Sequence, residues 1–306
     1  MTVRIALIGG TGVYDPAMLS DLREEHVTTP YGDVGLKVGR LEGREVAFMA
    51  RHGQGHSVPP HLVNYRANIM ALKQLGVRSI LATAAVGSLN LDMEPGHFVF
   101  CDQFLDFTKS RAQTFFEGGP EGVVHVDMTE PYCPELRALL GKAAAALKAA
   151  VHPVGTYAAT EGPRFESPAE IRMLRQLGAD LAGMTGVPEV VLAREAEICY
   201  ATICMVTNFA AGISPGRLTH EEVLEAMQVN AAKIRSLIAD TVLLIDPERK
   251  CLCHEAVRGP VAGPDDNGGQ SPVVGGRSPV VGGRSPVVGG RSGSRNQSGA
   301  VPQEEQ

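Results

Sequence analysis

The sequence predicts an α/β fold: a single domain with a central, mostly parallel or mixed β-sheet flanked by helices, followed by a disordered C-terminal tail. Three observations predict it. From Val3 to about Ile245, apolar strand-like runs alternate with runs of helical spacing, the pattern of a sheet covered by helices on both faces. The later strand-like runs are almost continuously apolar, as strands buried on both faces are. After about residue 247, Gly, Pro, Ser and Arg replace the apolar runs, a composition too poor in buriable area to offset the entropy of ordering.

The elements follow in order. "VRIALIGG" (3–10) and "EVAFMARHG" (45–53) read as strands. "NYRANIMALKQLG" (64–76) spaces Ile69, Leu72 and Leu75 as one helix face and ends at Gly76 as a C-cap does. "SILATAAVGSL" (79–89) and "HFVFCDQFLDF" (97–107) read as strands, and the Ala- and Leu-rich "PELRALLGKAAAALKAA" (134–150) as a helix. "SPAEIRMLRQLG" (167–178) is a helix with Ser167 at the N-cap and Pro168 at the first helical position. "VPEVVLAREAEI" (187–198) is another, and "CYATICMVT" (199–207) a buried strand. The last helix opens at "THEE", where Thr219 and Glu222 suit a capping box, and runs to about Ile245.

These elements place one domain at residues 1–247 and a low-complexity tail at 248–306. The tail carries "SPVVGGR" three times in tandem, at 271–277, 278–284 and 285–291. Pro and Gly-Gly in every unit forbid a heptad helix. A disordered tail is the preferred reading and an interaction segment the alternative. A chain ending near Asp246 is expected to fold. Cys251 and Cys253, with His254 adjacent, lack ordinary zinc spacing. Buried, reduced thiols are the default for the six cysteines; a thiol pair or disulfide tying down the C-terminus ranks above zinc there, and no metal site is expected.

Composition excludes several function classes. The formal net charge is −6 and no long basic run appears, which argues against nucleic acid as a main partner. Trp is absent and aromatics are 5% of residues, so stacking platforms are scarce. No apolar stretch reaches the roughly 18 residues of a membrane helix. "MTVRIALIGGTG" reads as a first strand and not as a signal peptide. The expectation is a cytoplasmic protein with no membrane partner.

Chemistry concentrates at strand ends. "GGTG" (9–12) misses the dinucleotide fingerprint, because Asp15 stands where the third Gly belongs. With the Thr11 hydroxyl it suits a single phosphate, or equally a plain turn. Arg51 and His52 follow a strand directly, at the carboxyl edge where α/β ligands bind, and Arg is a forked donor for oxyanions. "ATAAVGS" (82–88) ends its strand in small residues, which let backbone approach a ligand. Phe165 and Glu166 sit in a loop before a helix, while Met184, Thr185 and Asn208 end further strands. Glu189 reads as a charge at a helix N-terminus. His220-Glu221-Glu222 is not a zinc helix, since no second His follows four residues on. An amide such as Asn208 at the tip of a buried strand costs free energy unless it finds a partner. Together these strand ends describe a phosphate-and-polar-ligand site.

"GGTG", "ARHGQGH", "VNYRANI", "EGPRFE", "MTGVPEVVLAREAEICYA" and "TNFAAG" closely resemble the trimeric purine nucleoside phosphorylase and methylthioadenosine phosphorylase family, over residues 3 to 245. The resemblance implies the nucleoside phosphorylase fold and phosphorolysis of a purine nucleoside to free base and ribose 1-phosphate. It implies phosphate as co-substrate, no cofactor and no metal. Thr11, Arg51, His52, Ala84, Ala85 and Thr185 then hold phosphate. Met184 lies against the ribose, and Phe165 stacks on the base. Glu166 and Asn208 read the base edge, with Phe209 and Ala210 beside them, and Asn208 stabilises the leaving group. His220, at the start of the last helix, lies near the 5′ group; its bland reading is an exposed first-turn histidine. His125 is lent to a neighbouring subunit, which implies a homotrimer or a dimer of trimers. The methylthioadenosine branch carries aspartates where this chain reads "NFAA", so Asn208 and Ala210 point to 6-oxopurine nucleosides such as inosine and guanosine. The alternatives are a methylthioinosine or methylthioadenosine phosphorylase, and a non-catalytic nucleoside-binding protein.

Overall fold

Eleven strands among the described residues form one sheet with five α-helices around it. The computed structural model describes residues 3–10, 18–119, 122–147, 150–213 and 219–257, without the side chains of Gln54, His220 and Glu222. Thr11 and the three repeats lie outside the described residues.

The strands are β1 (Ile5–Gly9), β2 (Ser20–Thr29), β3 (Gly32–Leu41), β4 (Arg44–Ala50), β5 (Ser79–Ser88), β6 (Phe98–Phe100), β7 (Gln103–Phe107), β8 (Val151–His152), β9 (Thr156–Thr160), β10 (Leu181–Gly183) and β11 (Cys199–Phe209). The helices are α1 (Tyr65–Gln74), α2 (Pro134–Ala144), α3 (Pro168–Gln176), α4 (Gly186–Glu195) and α5 (His220–Leu244). The sheet is mixed. β4, β1, β5 and β11 run parallel, while β2, β3 and β4 form an antiparallel meander at one side.

β5 organises the centre. β11 pairs along one edge of it from Cys199–Ser79 to Phe209–Ser88. On the other edge, β1 pairs with Ser79–Ala82 and antiparallel β10 pairs with Gly87 and Ser88. Residues 83–86 fall between those two pairings. That break in the ladder opens the cavity described below.

Side chains alternate across this centre as the pleat requires. Ile80 and Tyr200 pack with α1 and α4 on one face, through Ile69, Leu72 and Val190. Leu81 and Ile203 pack with α2 and α5 on the other, through Leu136, Leu140, Leu237 and Ile238. Burial on both faces accounts for the continuous apolar runs.

The structure departs from the sequence reading in four places. The β2–β3 hairpin was not anticipated, because β2 is exposed along most of its length and shows no apolar alternation. The run 97–107 is two strands: Gly155 exchanges hydrogen bonds with Asp102, so β6 joins β11 and β7 joins β9. The helix read over 134–150 ends at Ala144. The domain boundary at 247 falls too early, since residues 248–257 are packed on the domain and include a 3₁₀ turn at Leu252–Glu255. Ser167 and Glu170 form a complete capping box on α3. The box read at Thr219 and Glu222 lies outside the described side chains.

Candidate active site

A cavity of about 410 Å³ opens where one edge of β5 is unpaired. Ala84 to Gly87 form its floor, and Gly10, Arg51, His52, Phe165, Glu166, Met184, Thr185, Thr207, Asn208 and Ala210 line its walls. Residues far apart in sequence meet here because the ends of β1, β4, β5, β9, β10 and β11 converge.

Arg51 is fully buried and held on three sides. Its Nε and Nη2 each donate at 2.7 Å to the two carboxylate oxygens of Glu189, and its Nη1 donates at 2.9 Å to the Thr83 carbonyl. Tyr200 Oη also donates to Glu189, at 2.7 Å. Burial works against the guanidinium charge, but the Glu189 carboxylate more than offsets it and holds the pKa above its usual value. Three of five N–H groups are used, leaving one on each terminal nitrogen, a pair that a tetrahedral oxyanion can bridge. Gly10 makes this packing possible: a Cβ there would stand 2.6 Å from the Thr83 oxygen and 3.0 Å from Nη1. Glu189, read from sequence as a helix charge, is the partner that orients Arg51.

His52 is buried beside Arg51, and its Nδ1 lies 2.8 Å from the Val58 carbonyl. A carbonyl only accepts, so Nδ1 carries the proton. Burial, then the Arg51 charge, lower its pKa to about 4. The ring is therefore neutral at pH 7, and Nε2 is an acceptor. The resemblance puts His52 among the residues that hold phosphate; the structure makes its Nε2 an acceptor until it gains a second proton.

A stability prediction follows from this depression. Between the ordinary histidine value and about 4, the unfolded chain binds the proton and the folded chain does not, so stability rises with pH across that window. The contribution is full above the unfolded value and is lost as pH falls toward the folded one. It is on the order of 2 kcal/mol. Ligand-free protein should lose Tm between pH 6.5 and 4, and His52→Gln should flatten that loss. Identical Tm-against-pH curves for the two proteins would refute it.

The opposite wall is polar in a different way. Glu166 Oε1 accepts from Thr160 Oγ1 at 2.5 Å, which leaves Oε2 for another donor. Asn208 sits at a β-bulge, where the β11–β5 register shifts between Val206 and Asn208. A bulge re-aims side chains, and here consecutive residues Thr207 and Asn208 both line the cavity. Asn208 Oδ1 accepts from Thr207 Oγ1 at 2.7 Å, and Nδ2 donates to the Phe209 carbonyl at 2.9 Å. The second N–H of Nδ2 remains for a ligand. Phe165 stands at the rim, 39% exposed. Met184 packs over Gly162, whose φ is +66° and where a Cβ would lie 2.6 Å from the Met184 sulfur.

Arg111 was not anticipated from sequence. Its side chain is buried and donates to the carbonyls of Thr160, Glu161, Met184 and Val187 and to Tyr65 Oη. It thus pins the Glu166-bearing loop to the Met184–Thr185 segment. Tyr157 Oη accepts from the backbone N–H of Thr185 and Gly186 at 3.1 and 3.3 Å, fixing the start of α4. The Thr185 side chain does not cap that helix.

Of the residues read from sequence, Arg51, His52, Ala84, Ala85, Phe165, Glu166, Met184, Thr185, Asn208 and Ala210 line this one cavity. Phe209 does not; its carbonyl orients Asn208. His125 is exposed and outside the lining. Thr11 and the His220 side chain lie outside the described residues.

Known proteins are similar to this chain in sequence and fold. The pattern of the Phosphorylase superfamily matches residues 4–243. A probable 6-oxopurine nucleoside phosphorylase of Thermococcus kodakarensis is 58% identical over 261 residues, 84% of this chain and 98% of the relative. The 6-oxopurine nucleoside phosphorylase of Pyrococcus furiosus is 56% identical over 262 residues, with the same coverage of each. Among solved structures, a methylthioadenosine phosphorylase sourced from an antarctic soil metagenomic library is 41% identical, with a TM-score of 0.78 over 84% of this chain and 91% of that one. The chain belongs to the phosphorylase superfamily.

Proposed function

We propose that this chain is a 6-oxopurine nucleoside phosphorylase, cleaving inosine and guanosine with phosphate to free base and ribose 1-phosphate. One observation carries the reading: a single cavity holds an oriented, buried oxyanion donor, Arg51, opposite an acceptor–donor pair, Glu166 and Asn208. A protein that only bound nucleosides would have no use for the first wall.

The chemistry follows from the two walls. Phosphate, gripped by the spare N–H groups of Arg51 and by Thr185, is placed beside the sugar's anomeric carbon. As the glycosidic bond breaks, positive charge grows on the sugar, and the fixed phosphate both stabilises it and attacks. Hydrogen phosphate still carries one P–OH, which matches the acceptor Nε2 of neutral His52. The free N–H of Asn208 donates to the departing purine, and Glu166 Oε2 accepts from its N1–H. Phosphate-dependent release of hypoxanthine from inosine, followed by ultraviolet absorbance, tests the activity. Release that is equal without phosphate would refute it.

The 5′ group is the second specificity question. His220 opens α5, and a histidine suits a 5′-hydroxyl. A methylthio substrate would leave that imidazole unpaired, at about 1–3 kcal/mol. Inosine is expected to beat methylthioinosine in kcat/KM by roughly tenfold or more, and His220→Val to shrink that ratio without changing base preference. The competing methylthio reading draws on Val223, an apolar residue of α5 that lines the cavity. Wild-type preference for the methylthio substrate would decide for it.

The exposed position of His125, away from the cavity of its own chain, supports a site shared between subunits in a homotrimer or dimer of trimers. We place the enzyme in the cytoplasm and assign it no organic cofactor.

A further inference from the structure

Away from the cavity, four cysteines from three parts of the chain meet. Cys133 precedes α2, Cys199 begins β11, and Cys251 and Cys253 flank the start of the last 3₁₀ turn. Their four sulfurs all lie within 4.8 Å of one another, and Cys133 and Cys251 are 3.7 Å apart. All are free thiols. Sulfurs held tetrahedrally at a zinc–sulfur distance of about 2.3 Å would be separated by about 3.8 Å. The cluster is therefore close to ligating geometry without moving the backbone. The spacing argument against zinc counted only Cys251, Cys253 and His254, because nothing in sequence brings residues 133 and 199 to them.

The surroundings favour thiolates. His254 Nδ1 accepts from Arg78, so the ring's proton is on Nε2, which is shared between the Cys199 sulfur at 3.3 Å and the Arg78 carbonyl at 3.4 Å. Arg194 Nη1 donates to Cys253 at 3.4 Å, and Arg249 Nη2 reaches Cys133 at 3.9 Å. Three N–H donors aimed at sulfur are what a four-thiolate zinc centre, with two net negative charges, requires around it. A second cavity, lined by Glu130, Arg194, Cys251 and Cys253, adjoins the cluster and offers an entry path.

We propose that Cys133, Cys199, Cys251 and Cys253 bind one zinc ion as a closed structural site. With four protein ligands and no open position, the ion does no chemistry on substrate. Its task is to clamp residues 248–257, which bury little apolar surface: Leu252 is exposed, and Cys253 is the buried hydrophobic residue there. The other end of β11 carries Asn208, about 30 Å away by strand rise, so stability and catalysis should separate.

The test uses the full chain, expressed with zinc and purified with a thiol reductant and no chelator. One zinc per chain is expected by elemental mass spectrometry. Cobalt substitution should give the visible bands and the sulfur charge-transfer band of a tetrahedral cobalt thiolate. Cys253→Ser should weaken metal binding roughly 100-fold or more and Arg194→Gln about 10-fold or more, both lowering Tm while kcat/KM for inosine holds within about twofold. Should Cys253→Ser fail to fold, the metal content and cobalt spectrum of the wild type decide alone. Metal-free protein with four titratable thiols would overturn the proposal, as would mass spectrometry showing these cysteines paired in disulfides.

Discussion

Arg51→Ala should raise the phosphate KM, lower kcat, and destabilise the fold at the same time. The substitution removes the two spare N–H groups facing the anion. Each charged hydrogen bond contributes roughly 1.5–3 kcal/mol, so kcat/KM for phosphate should fall about 10²- to 10⁴-fold. It also strands Glu189, which is fully buried and otherwise bonded only to Tyr200 among the contacts described. Breaking a buried pair by removing one partner costs about 3–5 kcal/mol, which should appear as a large drop in Tm. The two effects are separable. Arg51→Ala with Glu189→Gln should recover part of the Tm and none of the phosphate affinity. Arg51→Lys keeps a charge but not the fork, and should fall between wild type and Arg51→Ala in both readouts. An unchanged phosphate KM in Arg51→Ala would remove this residue from the anion site.

Arg51 was legible in the sequence, and its partner's role was not. An Arg-His pair directly after an apolar run falls at the carboxyl edge of a strand, and that logic needs only local pattern. The Glu189 contact spans 138 residues, and Glu189 does stand in the first turn of α4, so local pattern gave a true but incomplete account. Arg111 carries no local signal, because its partners come from the end of β9, the start of α4 and α1. The four-cysteine cluster was hidden for the same reason: two of its sulfurs become neighbours of Cys251 and Cys253 only when β11 and α2 are assembled. At the other extreme, Ser167-Pro168 and the apolar strands were legible because capping and burial are written in adjacent residues. The β2–β3 hairpin was not, since exposed strands leave no apolar alternation.

Base choice should rest on Glu166 and Asn208 by a margin larger than any other substitution effect outside the anion site. A 6-oxopurine presents N1–H as a donor and O6 as an acceptor. Glu166 has one carboxylate oxygen committed to Thr160 and one left to accept. Asn208 is oriented by the Phe209 carbonyl, which accepts one Nδ2–H and leaves the other as a donor for the ligand. A flipped amide would set its oxygen against the Phe209 carbonyl, so that contact fixes the orientation. Adenine reverses each group, placing an acceptor against Glu166 and an N–H donor against the Asn208 donor. A site that reads its ligand by such bonds can reject the mismatched one by about 10⁴-fold or more. Wild-type protein should therefore cleave inosine or guanosine and leave adenosine nearly untouched in the phosphate-dependent absorbance assay. Asn208→Asp replaces the spare donor with an acceptor for the adenine amino group, and should raise adenosine kcat/KM while lowering that for inosine. Glu166→Gln should weaken inosine binding without helping adenosine as much, because it alters only the N1 contact. If wild type cleaves adenosine as fast as inosine, the hydrogen-bond polarity of this wall does not set base choice.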